Sequence, residues 1–320
     1  MSPISDDLAN KQSRASDHYG REIRGLRMSV TQKCDLSCPH CHREGQTPSS
    51  VEMSPEEIER LVRVGSSLGI SKVKITGGEP LLREDIVDIV ARISPIVSEV
   101  SITTNGSRLA GVARDLRAAG LKRVNVSLHS IDPDRYERLC GRNEISAVVR
   151  GIESAVGCGM NPVKVNMVVF KNENESEISP MIEFCGKVGA VLQLIEFESS
   201  KEDMNGKEFA VKYFSLRGVE TELAAKSIST SVNELHRRRR YVIPNGGTPV
   251  TVEVVRPMHN TEFCSNCTRI RLSSDGRLKP CLLDCSGEVD VLSALRDGST
   301  DVELRKLFLK AIGNRKPYWS

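Results

Sequence analysis

No run of apolar residues in this 320-residue chain approaches the ~20 needed to span a bilayer. The first twenty residues, MSPISDDLANKQSRASDHYG, lack an apolar h-region, which excludes a secretory leader and reads as a polar, loose tail over 1–20. Net charge is nearly absent as well. Forty-five Lys and Arg stand against 42 Asp and Glu, leaving +3, too little for a field that would hold a nucleic-acid track or a membrane surface. There is no low-complexity segment and no clear sequence repeat. What is present is globular composition, 39% apolar residues with 24 glycines, in a chain long enough to bury a substantial core. Ten cysteines in a chain without a leader predict a cytoplasmic, reducing setting, where disulfides give way to metal or catalytic roles.

From about 24 to 200 the pattern alternates. Short Val- and Ile-rich runs predict strands at 24–30, 72–76, 99–103, 123–128, 163–170 and 191–196. Between them lie helical patterns near 83–94, 108–119, 145–158 and 175–189, and one opening at Ser54-Pro55-Glu56-Glu57, where a serine cap, a proline at N1 and a glutamate reaching back form a capping box. Strands alternating with helices predict parallel βαβ units. Six of them make a partial (β/α)6 barrel of the TIM type, since a complete one needs eight. After about 200 the rhythm changes: helical stretches near 214–226, 290–296 and 301–311 surround strand-like pieces at 250–256 and 269–273. The predicted organisation is a tail over 1–20, the barrel over 21–200, and a smaller α+β domain over 201–320 that covers the barrel's mouth. The run Arg237-Arg238-Arg239-Arg240 reads as a solvated loop.

Two cysteine groups carry the chemistry. Cys34, Cys38 and Cys41 are spaced C-x3-C-x2-C directly after the first strand, at the strand end where barrels place their sites. Three such thiolates leave one coordination position open. The alternatives are a structural zinc completed by His40 or His42, or an iron–sulfur cluster with one free iron. Ile75-Thr76-Gly77-Gly78-Glu79-Pro80 ends the second strand, where paired glycines allow a close backbone approach. The second group, Cys264, Cys267, Cys281 and Cys285, fits a zinc site, a fully ligated cluster, or a three-cysteine cluster with a spare. Arg269 and Arg271 follow on one face of a strand, a guanidinium pair suited to polyphosphate. Cys140, Cys158 and Cys185 fall in helical patterns and read as packing residues.

The first group and the Gly-Gly-Glu run resemble the signature of the radical S-adenosylmethionine superfamily. Tyr19-Gly20-Arg21, Leu26-Arg27-Met28-Ser29-Val30-Thr31, Thr103-Thr104-Asn105-Gly106, Arg123-Val124-Asn125-Val126-Ser127-Leu128, Val163-Lys164-Val165-Asn166, Ile195-Glu196-Phe197 and the stretch from Phe263 to Gly276 narrow the resemblance to the GTP 3′,8-cyclases of molybdenum cofactor biosynthesis. It covers about residues 18–312. Bacterial members end in Gly-Gly; this chain ends Arg315-Lys316-Pro317-Tyr318-Trp319-Ser320, an archaeal-like ending.

The resemblance implies two [4Fe–4S] clusters, one on Cys34, Cys38 and Cys41 with S-adenosylmethionine on its open iron, the other on Cys264, Cys267 and Cys281 facing the purine. It implies cofactor contacts at His40, Gly78 and Ser127, with Glu79 as an acceptor toward the methionine amino group. GTP contacts are implied at Arg27, Lys74, Thr103, Lys164, Arg269, Ile270 and Arg271, with Arg27, Arg269 and Arg271 acting in catalysis. The implied reaction is a lyase-type radical cyclisation of GTP to (8S)-3′,8-cyclo-7,8-dihydroguanosine 5′-triphosphate, in which a 5′-deoxyadenosyl radical removes the ribose 3′ hydrogen. The implied partners are GTP, an electron donor and a downstream pyranopterin-forming protein, with no nucleic acid and no membrane, the chain acting as a monomer or homodimer. Two rival readings stand beside it: a peptide maturase with a fully ligated auxiliary cluster, and two zinc modules binding nucleic acid.

Overall fold

The computed structural model describes residues 14–319. Strands and crossover helices alternate through β1 (Gly25–Ser29), α1 (Pro55–Ser66), β2 (Lys72–Thr76), α2 (Ile86–Ile93), β3 (Glu99–Thr104), α3 (Leu109–Ala118), β4 (Arg123–Ser127), α4 (Pro133–Cys140), α5 (Ile145–Gly157), β5 (Val163–Val169), α6 (Ile178–Val188) and β6 (Val191–Glu196). The C-terminal part adds α7 (Lys207–Lys212), α8 (Arg217–Lys226), β7 (Ser229–Val232), β8 (Arg239–Ile243), β9 (Val250–Val255), α9 (Thr261–Ser265), β10 (Arg269–Leu272), β11 (Arg277–Lys279), β12 (Val289–Asp290), α10 (Leu292–Arg296) and α11 (Asp301–Gly313). The start of α1 carries the predicted capping box, with Ser54 Oγ accepting from the Glu57 N–H at 3.2 Å and Glu57 accepting from the Ser54 N–H at 2.8 Å.

One sheet holds the strands in the order β12-β11-β10-β1-β2-β3-β4-β5-β6-β9-β8-β7. Strands β1 to β6 pair in chain order and in parallel. Parallel pairing continues outward on both sides, β10 onto β1 and β9 onto β6. The C-terminal part thus adds one parallel strand at each edge of the six-stranded run, and the sheet stays open. The fold is the expected mixed α/β partial barrel with a sheet-rich C-terminal part.

Each barrel strand alternates. One set of side chains, including Leu26, Met28, Val73, Ile75, Val100, Ile102, Val124 and Val126, packs outward against the apolar faces of the helices, such as Ile58 and Leu61 of α1 and Ile89 and Ile93 of α2. The opposite set is polar through β4 apart from Gly25, and carries Lys164, Asn166 and Gln193 on β5 and β6. A parallel strand enclosed on both faces normally reads as a continuous apolar run. Here the second face lines an interior that water or a polar ligand must satisfy.

The expected loose tail divides at the described boundary, with residues 1–13 outside it. Residues 14–20 are tied down, against expectation. The Ala15 N–H donates to the Leu68 carbonyl at 3.0 Å, Ser16 bridges to Glu22, and buried Asp17 takes Arg21 Nε at 2.8 Å and Arg315 Nη1 at 2.6 Å. The Arg237–Arg240 run also departs from the solvated-loop reading. Arg239 and Arg240 open β8, and Arg238 and Arg240 reach Glu253 at 3.0 and 3.1 Å. Strand alternation sends every second arginine inward to one buried carboxylate.

Candidate active site

From β1 the chain runs straight into Cys34-Asp35-Leu36-Ser37-Cys38-Pro39-His40-Cys41. Neighbouring strand ends shape this loop. The Gly78 N–H donates to the Thr31 carbonyl at 2.7 Å and the Glu79 N–H to the Lys33 carbonyl at 2.7 Å. A Cβ on Gly78 would stand 2.2 Å from the Lys33 carbonyl oxygen and 2.6 Å from that of Gln32, so the glycine is what lets the end of β2 touch the cysteine loop. Asp35 holds the far side, accepting from Asn105 Nδ2 at 2.7 Å and Ser107 Oγ at 3.3 Å. Gly78→Ala is therefore expected to displace the loop, costing about 1–3 kcal/mol of packing strain. The check is anaerobic iron analysis with thermal unfolding, which should show a lowered melting temperature and loss of iron from this group alone.

Glu79 is held by its neighbours. It is 1% exposed, and its carboxylate is occupied by protein donors: Thr104 Oγ1 at 2.7 Å, the Leu81 N–H at 2.9 Å and the Asn105 N–H at 2.6 Å. Burial pushes its pKa up to about 7 against the pull of those hydrogen bonds. Its evident work is to join the ends of β2 and β3 beneath the cysteine loop.

The cysteines of the loop are free thiols, Cys34 and Cys41 exposed and Cys38 half-buried. Burial, helped by Glu79 and Asp35, pushes Cys34 up to about 11. An activated nucleophile has a lowered pKa, so nucleophilic use does not fit. Binding a soft metal does, because coordination removes the thiol proton outright. Among the described residues no three His, Cys, Asp or Glu side chains converge closely enough to hold a metal ion, so the fit rests on donor type and loop position. Both suit an iron–sulfur cluster. His40 stands beside them with its Nδ1 buried and without a partner, its ring 4.8 Å from that of His129 and 4.9 Å from that of Phe170. Burial, then His129, holds its pKa well below the ordinary value, so the ring is neutral.

The polar interior begins below this loop. Arg27 pairs in register with Lys74 on one side and Arg271 on the other, so all three share a face. Lys74 Nζ donates to Asn125 Oδ1 at 2.7 Å, Asn125 Nδ2 to Asn166 Oδ1 at 3.1 Å, and Gln193 Nε2 to the same oxygen at 3.0 Å. At the far side Lys164 Nζ meets Glu253 at 2.5 Å. Burial pushes Lys164 down to about 8, while Glu253 works to raise it. Burial, then Arg238 and Arg27, drives Arg269 well below its ordinary value, and no carboxylate among the described residues forms a salt bridge with it. Positive charge is concentrated here in excess of its partners, the condition for an anion site. Thr103 and Ser127 lie on the same face of β3 and β4, as the register places Thr103 opposite Asn125 and Ser127 opposite Asn166. Ile270 does not join them: it alternates away from Arg269 and Arg271 and is fully buried in the core, leaving only its backbone toward the interior.

The second cysteine group sits at the other end of the strands. Cys264 and Cys267 precede β10, whose first residue, Arg269, is in register with Gly25 at the start of β1. Strand β11 runs back antiparallel and delivers Cys281 to that same end. The five residues of β1, roughly 16 Å of strand, thus separate the two groups. Burial works to raise Cys267, but Arg315, Arg269 and Arg21 outweigh it and bring the thiol below its ordinary value. Arg315 Nη2 also binds the Cys267 carbonyl at 2.6 Å and Arg21 Nη1 the Cys264 carbonyl at 2.9 Å. The C-terminal residues close this end, the Trp319 N–H donating to Cys264 Sγ at 3.4 Å within an apolar cluster of Met258, Phe263, Tyr318 and others. Cys285 turns elsewhere, toward Lys279 Nζ at 3.5 Å and the Gly45 carbonyl at 3.7 Å.

Known proteins share both halves of this arrangement. Residues 28–185 match the Radical SAM superfamily and residues 190–320 match Molybdenum Cofactor Synthesis C. A probable GTP 3′,8-cyclase of Thermococcus kodakarensis is 50% identical over 304 residues, 95% of this chain and 99% of that protein. The chain belongs to the GTP 3′,8-cyclase family. Similar relatives with the same name occur in Methanothermobacter thermautotrophicus, 44% identical over 95% of this chain and 98% of that one, and in Methanocaldococcus jannaschii, 40% identical over 95% and 98%. Among solved structures, Streptococcus suis SuiB aligns with a TM-score of 0.62 at 16% identity over 96% of this chain and 68% of that chain, a likeness of fold.

Within the family's frame, sequence reasoning missed four interior groups. Asn125, Asn166 and Gln193 were legible as the polar members of alternating strands. Glu253 was hidden in the apolar run Val250–Val255, and only its central place opposite Gln193 reveals it.

Proposed function

We propose that this chain binds GTP in the polar interior between its two cysteine groups and cyclises it to (8S)-3′,8-cyclo-7,8-dihydroguanosine 5′-triphosphate, the first step of molybdopterin biosynthesis. The observation that supports this reading best is the cationic face of half-buried Arg27, Lys74, Arg269 and Arg271 with buried Lys164, lying between a cysteine loop at the C-terminal end of β1 and another at the N-terminal end of β10. A triphosphate carries about four negative charges, and a desolvated guanidinium cluster is the group that recognises it.

Cys34, Cys38 and Cys41 would hold one [4Fe–4S] cluster, with His40, Gly78 and Ser127 bordering S-adenosylmethionine. Cys264, Cys267 and Cys281 would hold the other. S-adenosylmethionine bound at the first cluster would supply radical chemistry at the ribose 3′ position. The chain's own residues orient and enclose. Arg269 and Arg271 face the phosphates from β10, Arg27 from β1, Lys74 and Thr103 from the adjoining strands, with the Ile270 backbone between the arginines. The amides of Asn125, Asn166 and Gln193 are held by one another and present a preorganised wall, which avoids reorganisation at the moment of reaction. Burial of this wall keeps water from a reactive intermediate.

The division of labour follows the proposed domains, residues 21–200 generating the radical and 201–320 closing the substrate site, with 1–20 preceding them. We place the reaction in the cytoplasm, with an electron donor upstream, a pyranopterin-forming protein downstream, and a monomer or homodimer as the working unit. Among the described residues no helix is long and apolar enough to cross a membrane.

Replacing Arg269 and Arg271 together by alanine tests the phosphate assignment. A hydrogen bond to a charged group contributes about 1.5–3 kcal/mol, so without both guanidinium groups GTP affinity should fall at least about a hundredfold while both clusters remain. Normal turnover of GTP by that double variant would overturn the assignment.

A further inference from the structure

The loop that leaves the first cysteine group does something its relation to iron does not require. Directly after Cys41 the chain runs His42-Arg43-Glu44-Gly45-Gln46, and Arg43, Glu44 and Gly45 hold consecutive left-handed conformations, with φ of 47°, 54° and 63°. For two non-glycine residues this is strained backbone, which persists only where surrounding contacts impose it. The contacts are present. Gln46 Nε2 donates to Ser29 Oγ at 2.9 Å, and its Oε1 accepts from the Ser274 N–H at 2.8 Å. Lys279 Nζ donates to the Gly45 carbonyl. The loop is thereby pinned to β1 and to the strands of the second cysteine group together.

The strained turn delivers one side chain into the interior. Glu44 takes Arg27 in a fork, Nε at 2.9 Å and Nη2 at 2.6 Å on the same carboxylate oxygen, and its other oxygen accepts from Arg271 Nη1 at 2.6 Å. Its side chain is 14% exposed. Burial alone would raise its pKa, but Arg27 and Arg271 hold it at about 2, so it is a carboxylate throughout the physiological range. The donor atoms it occupies are the ones a phosphate would take bidentately. A triphosphate and the Glu44 carboxylate therefore compete for the same two guanidinium groups.

We propose that Glu44 is the resident anion of the substrate site, a carboxylate that holds Arg27 and Arg271 until a triphosphate displaces it. This rests on the reading of Arg27 and Arg271 as phosphate ligands. The pair keeps two half-buried guanidinium groups satisfied when no nucleotide is present, and it sets a threshold for entry. A neutral nucleoside gains nothing from the arginines and leaves Glu44 in place. Only a ligand carrying several negative charges outcompetes it, so Glu44 contributes to selection for the triphosphate.

The test uses the anaerobically reconstituted chain without S-adenosylmethionine, so that binding is read without turnover. Affinities for GTP, inorganic triphosphate and guanosine are compared between the native chain and Glu44→Gln. With the competing anion gone, the fraction of free arginine sites rises, and both GTP and triphosphate should bind about tenfold tighter while guanosine is unchanged. Unchanged or weaker GTP binding, or an equal gain for guanosine, would overturn the proposal. The native chain gives a second reading that needs no substitution. Amide hydrogen exchange over residues 42–47 should rise on addition of GTP, and unchanged exchange or protection would count against displacement. Arg271→Ala separates this inference from the one beneath it: if that variant binds GTP normally, the phosphate assignment fails; if it binds weakly while Glu44→Gln gains nothing, only the role of Glu44 fails.

Discussion

Replacing Cys34 by alanine should abolish cleavage of S-adenosylmethionine, with 5′-deoxyadenosine falling to the level of a protein-free control. The expected effect is this large because the three thiols of the loop have no substitute. Cys140 lies close by, its carbonyl 3.9 Å from Cys38 Sγ, but it is 2% exposed in the core at the end of α4 and cannot move out to replace Cys34. With two cysteines remaining, a cluster proposed on this loop would lose one of its three protein ligands. The fold should survive, since Cys34 is exposed and the loop is held by Asp35, Ser37 and the Gly78 contact. The measurement is anaerobic turnover with a chemical reductant and chromatographic detection of 5′-deoxyadenosine, alongside a melting curve.

Cys281→Ala separates the two halves of the reaction. Its cysteine belongs to the group at the opposite end of β1 and β10, roughly 16 Å of strand from the first. Cleavage of S-adenosylmethionine should therefore continue, at least in part, while formation of the cyclised nucleotide stops. The second group is enclosed by Arg21, Arg315 and the Trp319 segment, all anchored independently of Cys281, so the local fold should persist. Chromatography of both products in one reaction distinguishes this outcome from general inactivation. Loss of both activities together would mean that the two centres are not functionally separable.

Much of this architecture was legible because its signals are local. The six barrel strands follow from β-branched runs between helical patterns, and Ser54-Pro55-Glu56-Glu57 announced α1 by chemistry that operates within one turn. The cysteine groups were legible because thiol spacing is rarely accidental. Less local features escaped. Helix α4 opens at Asp132-Pro133, with Asp132 accepting from the Arg135 N–H at 2.8 Å, a start signal that was overlooked. Strand β8 was hidden in an arginine run, because charge suggested solvent while alternation was sending Arg238 and Arg240 to Glu253. That Glu79 faces protein donors, that Ile270 faces the core, and that Glu44 enters the interior all depend on which strand ends meet, and spacing along one chain does not contain that.

For the proposed reaction to occur, the radical formed at one end of the barrel must reach the ribose of a nucleotide held by the interior arginines. The decisive experiment uses GTP deuterated at the 3′ position of the ribose, incubated anaerobically with the reconstituted chain, S-adenosylmethionine and reductant. Deuterium should appear in 5′-deoxyadenosine, accompanied by 3′,8-cyclo-7,8-dihydroguanosine triphosphate in matching amount. 5′-Deoxyadenosine free of deuterium, with GTP recovered unchanged, would contradict that route.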